Sequence, residues 1–186
     1  IDDLVDLTGG SYTITLSDGT VTVVNNTVNA YIITVETPQV TAAALKHVND
    51  ATTLTVTATY VTKITGLYAD LDALYTADEN NEINIDDNVK LVVDDDGITV
   101  VQANQLDDYT DEVVTATIHT AQPVSELLNL NEAEGKNALT IEISAADATT
   151  CTASQLNTIN AATSVAVSLT NVTALAASSL ADLGIL

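Results

Sequence analysis

Apolar and polar residues alternate with period two through Leu54-Thr-Val56-Thr-Ala58, Leu139-Thr-Ile141-Glu-Ile143 and Val165-Ala-Val167-Ser-Leu169. Such alternation puts one set of side chains on a core face, so each stretch reads as a half-buried strand. Elsewhere apolar residues recur at i and i+3, as in Leu45/Val48, Leu71/Leu74 and Leu156/Ile159, the stripe of a short amphipathic helix. This spacing predicts helices over 41–50, 68–77, 101–110, 123–131, 152–161 and 177–186. Thr41 and Thr152 stand where N-caps belong, and Pro123 suits a first helical turn. Asp-Gly, Asn-Asn and Thr-Gly pairs mark the turns between elements.

The pattern recurs along the chain. At a constant offset of 111, Val40 meets Cys151, Leu45 meets Leu156, Val48 meets Ile159 and Leu54 meets Val165. At the same offset Val56 meets Val167, Ala58 meets Leu169, Val61 meets Val172 and Ile64 meets Leu175. A third copy lies between them, with Leu106 and Tyr109 in the places of Leu45 and Val48; after one deletion, Val114, Ala116 and Ile118 follow. An acid followed by Leu-x-x-Leu closes each unit, at Asp3-Leu4, Asp70-Leu71, Glu126-Leu127 and Asp182-Leu183. Asp18-Gly19-Thr20-Val21 is echoed by Asp96-Gly97-Ile98-Thr99. The unit is about 55 residues, made of two unlike helix-plus-strand halves of about 25, which is the proportion of an α/β solenoid.

The fold class expected is therefore an α/β repeat solenoid with leucine-rich-repeat proportions, its parallel strands stacked along the axis. A right-handed parallel β-helix is the alternative, most of all where the helix is lost near 20–30. No asparagine ladder of the leucine-rich-repeat type is evident. The expected division is 1–39 as abridged coils, 40–97 and 98–150 as full repeats and 151–186 as a partial one, all in one continuous domain.

Composition narrows the picture. The chain is 46% hydrophobic but only 3% aromatic, with neither Phe, Trp nor Met, so its core consists of many thin Val/Ile/Leu/Ala layers. A net charge of -22, with four Lys and no Arg, disfavours nucleic acid and anionic membranes as partners and favours cations. A single cysteine, Cys151, excludes an internal disulfide and reads as a small core residue because Val40 fills its place elsewhere. No apolar run approaches the ~20 residues of a membrane span, so no membrane insertion is expected. The chain opens at Ile1 without a signal-peptide pattern, as expected of a processed product or a fragment.

The stretches Val40-Thr-Ala-Ala-Ala-Leu45, Cys151-Thr-Ala-Ser-Gln-Leu-Asn-Thr-Ile-Asn-Ala-Ala-Thr163 and Asn29-Ala-Tyr-Ile-Ile-Thr-Val35 resemble Ala/Thr/Asp-rich tandem repeats. Such repeats occur in very long surface and secreted proteins of marine bacteria and cyanobacteria, often beside hemolysin-type calcium-binding repeats. The resemblance implies a non-catalytic, extracellular or cell-surface scaffold. The Gly-Gly-x-Gly-x-Asp nonapeptide of the calcium-binding repeats is absent, so their calcium roll does not carry over.

The densest acidic stretch, 78–88, supplies Asp78, Asn80, Glu82 and Asp86, and Asp94 and Asp96 follow. Oxygen-rich turns are what Ca²⁺ requires, and Asp78/Asn80/Glu82 alternate like the first ligands of an EF-hand. Ile83 stands where that loop needs Gly, and no Glu closes it. The expectation is thus no required cofactor, with Ca²⁺ as the candidate and a calcium-dependent adhesin as the alternative function. His47 and His119 read as surface residues, and without aromatics or Arg to line a sugar groove the chain is not expected to be an enzyme. Thr53, Thr55, Thr57 and Thr59 form an outward comb of the kind associated with ice binding, but Thr140/Glu142 and Ala166/Ser168 interrupt it in other copies. Finally, Ile1 and Leu4 at one end and Leu183, Ile185 and Leu186 at the other are versions of one segment. They are the expected contacts for end-to-end stacking with copies of itself or flanking repeats, open-ended as in a filament.

Overall fold

The computed structural model describes residues 11–14, 30–120, 122–131 and 137–184. The chain is α/β, with short helices and exclusively parallel strand pairing among the described residues. It falls into two units, Ile1–Asp94 and Asp95–Leu186.

In the first unit the strands are β1 (Ser11–Ile14), β2 (Ile32–Val35), β3 (Gln39–Thr41), β4 (Val56–Ala58), β5 (Lys63–Gly66), β6 (Ile83–Ile85) and β7 (Lys90–Val93). Helices α1 (Ala42–Asp50) and α2 (Tyr68–Glu79) alternate with them. One sheet runs β1-β2-β4-β6, and β3, β5 and β7 pair in turn in another. Strands so short are defined by their neighbours. Val56 lies opposite Ile83 and Val40 opposite Ile64, and all four side chains are buried.

Thr41 caps α1 by accepting the Ala44 N–H, while Leu45 and Val48 supply its buried stripe. At the end of β5, Gly66 has no Cβ because one there would come within 2.9 Å of the Ala42 Cβ, where strand and helix start crowd together.

The second unit carries α3 (Val100–Asp108), β8 (Val114–Thr117), α4 (Val124–Leu127), β9 (Ala138–Thr140), α5 (Ala153–Ala161) and α6 (Leu180–Leu183). A single 3₁₀ turn spans Ala145–Asp147. Strands β8 and β9 pair in parallel, with isolated bridges at Ile98–Ile118 and Glu142–Ser168. Both α3 and α5 begin with a full capping box. Thr99 and Gln102 in one, and Thr152 and Gln155 in the other, reciprocally satisfy two end donors. Pro123 sits one residue before its helix as the N-cap.

Across both units each parallel pairing joins residues 20 to 27 apart, from Ile98–Ile118 at the short end to Val56–Ile83 at the long end. The alternating stretch 165–169 forms no strand, only the Ser168 bridge, because its backbone is paired on one side alone. Cys151 is buried at 1% exposure beside the start of α5, as its equivalence to Val40 predicts. No described helix is long and apolar enough to cross a membrane. The repeat strand at 18–24, Asn29, Ile1, Leu4, Ile185 and Leu186 lie outside the described residues.

Candidate functional site

The acidic stretch of the first unit begins inside a helix. Asp78 and Glu79 are the last residues of α2, and the chain then turns through Asn80 and Asn81. Asn81 adopts φ 61°, the left-handed conformation, in which its N–H reaches the Asp78 carbonyl and the Glu82 N–H reaches that of Ala77. This is a Schellman cap with Asn in the usual glycine position. Asp78, Asn80 and Glu82 therefore belong to a helix terminus and not to a ligand loop.

The Asp78 carboxylate turns back to accept the Ile85 N–H at 2.8 Å. Burial pushes its pKa up against that bond, and the nearby Asp87 and Glu79 push in the same direction. Asp86 closes an Asx turn instead, accepting both the backbone N–H and the side-chain amide of Asn88 at 2.8 Å, and these bonds hold its pKa down. Asp94 is exposed and its N–H donates to the Gly66 carbonyl. Asp96 is exposed in the second unit. Among the described residues no three His, Cys, Asp or Glu side chains form a group able to hold a metal ion.

Behind the α2 terminus lies an open polar groove of about 420 Å³, lined by Asn49, Asp50, Thr52, Leu54, Asn81 and Glu82 among others. It exists because the turns after α1 and α2 lie side by side. Thr55 donates its hydroxyl to the Asn81 carbonyl, and the Val56 N–H donates to Glu82. Lys46 pairs with Asp50 at 2.6 Å on the exposed face of α1. His47 and His119 are both exposed. In the threonine comb, Thr34 and Thr57 are in register, but the next position is Asn84 and the Thr55 hydroxyl is engaged internally.

The polar side chains that organise the interior escape a reading based on alternation. Thr52 is buried two residues beyond α1, accepts the Tyr31 N–H and donates to the Tyr31 carbonyl. Thr163, two residues beyond α5, treats Leu139 in the same way. Each also accepts the N–H two residues on, from Leu54 and Val165 respectively.

In the second unit Asn137 is buried, accepting the Val114 N–H while donating to Asp107 at 2.6 Å. Asn104 and Asn157, each the fifth residue of its helix, donate to the carbonyls of Asn129 and Asp182, in both cases 25 residues onward. These rungs satisfy backbone groups that would otherwise be costly to bury. The signal for them was the recurrence of Thr at 52 and 163, at the same offset as the apolar matches.

Leu183, the described member of the expected stacking contact, is 44% exposed on α6, and Leu180 is 88% exposed. Compared with known proteins, the chain matches no family model, no curated protein and no solved structure.

Proposed function

We propose that this chain is a non-catalytic structural module, an α/β solenoid whose successive coils of about 25 residues stack end to end with copies of itself or with flanking repeats. The observation that carries the reading is the register. Strand neighbours in both units stand 20 to 27 residues apart, as Ile98–Ile118 and Val56–Ile83 illustrate. The interior rungs of Thr52, Thr163, Asn104 and Asn157 span similar distances, joining residues 21 to 25 apart. A chain whose contacts each reach one coil away is quasi-one-dimensional, and such chains grow by adding like coils.

The buried threonines also support a scaffold, since they bind their own backbone and no external ligand. An extracellular or cell-surface setting rests on the likeness of 40–45 and 151–163 to tandem segments of surface proteins. Sedimentation velocity over a concentration series tests the reading. Elongated species that grow with concentration are expected, and a monomer throughout the series would overturn self-stacking.

A further inference from the structure

The segment 165–175 repeats 54–64 position by position, yet the two differ in cover. Val56, Ala58, Val61 and Ile64 are at most 1% exposed, because β6 and the residues after it lie over them. Their counterparts Val167, Val172 and Leu175 are half-buried, and Leu169 is 39% exposed. Towards its own helix the later copy is as well packed as the earlier one, since Leu156 and Ile159 are as buried as Leu45 and Val48. Only the side that would face the next coil is open. Along that side the backbone around Ser168 pairs with 141–143, and no described strand pairs with its far edge. At the other end of the described chain, β1 pairs with β2 alone.

We infer that the apolar face of Val167, Leu169, Val172 and Leu175 is a docking surface for a second copy of this chain, whose β1 adds in parallel to the edge at Ser168. The inference rests on the self-stacking reading and gives it a register. Thr13 lies opposite Thr34 and Thr34 opposite Thr57, while Thr57 and Ser168 are equivalent at the offset of 111. Continuing that ladder puts Thr13 of the second copy opposite Ser168, Tyr12 opposite Val167 and Ile14 opposite Leu169. The new contact continues an interface the molecule already forms between β4 and β6. It is heterologous and open-ended, so it propagates.

Adjacent parallel strands lie about 4.8 Å apart, within the range of about 4.4–6.8 Å between Cα atoms that a disulfide spans. The test is a chain carrying Thr13→Cys and Ser168→Cys, with the buried native thiol removed as Cys151→Ala, oxidised and run without reductant. A ladder of covalent multimers is expected from the double variant and none from either single variant. If sedimentation shows multimers but the double variant yields no ladder, the register is wrong and self-stacking stands. If the chain sediments as a monomer and no ladder forms, both fail. Val172→Glu provides a check without cysteines. A charge on a half-exposed position spares the monomer but should weaken association at least tenfold, and unchanged association would overturn the assignment of this face.

Discussion

Residues 40–64 and 151–175 are two versions of one helix-and-strand sequence, and their helices are equally well buried while their strands are not. Leu45 and Leu156 are both fully enclosed, yet Ile64 is fully enclosed and Leu175 is half-exposed. Since the sequences match, the difference is not in the residues. It lies in the next stretch of chain: β6 and β7 come after the first copy, and only α6 after the second. A helix here buries its stripe against its own coil, whereas a strand is completed by the next one. This asymmetry is what a one-dimensional stack predicts.

The largest consequence concerns paired truncations. Ile64→Ala should cost about 2–5 kcal/mol, as removal of a fully enclosed side chain does. Leu175→Ala should cost about 1 kcal/mol or less at concentrations where the chain is dispersed, since partly solvated positions contribute little. Equal costs in denaturant unfolding would break the comparison.

A smaller but equal pair of effects is expected inside. Thr52→Val and Thr163→Val keep the shape while leaving buried backbone groups at Tyr31 and Leu139 without their partner. Each should cost about 1–3 kcal/mol. Both hydroxyls act on the preceding coil, so the two copies should agree here even though their strands differ.

The smallest effects concern pH, and they run in opposite directions in the acidic turns. Asp78 holds its proton more tightly in the folded chain, chiefly through burial. Its contribution is therefore complete below the ordinary Asp range and is lost as pH rises through the raised folded value. Asp86 is held below its ordinary value by Asn88, so its contribution is present above that range and fades as pH falls through the lowered one. Melting of Asp78→Asn and Asp86→Asn across pH 3–7 should remove slopes of opposite sign. Slopes of the same sign would contradict the environments assigned to the two carboxylates.

Much of the helical structure was legible because its determinants are local. Thr41 and Thr152 mark helix starts to within a residue, and the i, i+3 stripes identify the buried face. The strand at 165–169 was not, since alternation proposes a strand but only a neighbour completes one. The acidic stretch misled for a different reason. Alternating acids resemble a ligand loop, but Asn81 adopts a left-handed conformation normally advertised by glycine, so the helix runs on to Glu79 and its cap absorbs Asn80 and Glu82. The interior threonines were hidden by chemistry, because Thr suits a solvated strand face as well as a buried rung. What separates the two roles is position: Thr52 and Thr163 follow their helices by two residues, while Thr53 and Thr55 face outward.

Hydrogen exchange across 165–175, measured against 54–64 as chain concentration is raised, tests the central claim most directly. In dilute solution 165–175 should exchange well ahead of 54–64, and its protection should climb towards that of the earlier copy as a second chain covers the face. Protection of 165–175 that already equals that of 54–64 when dilute, or that stays low at every concentration, would contradict the account.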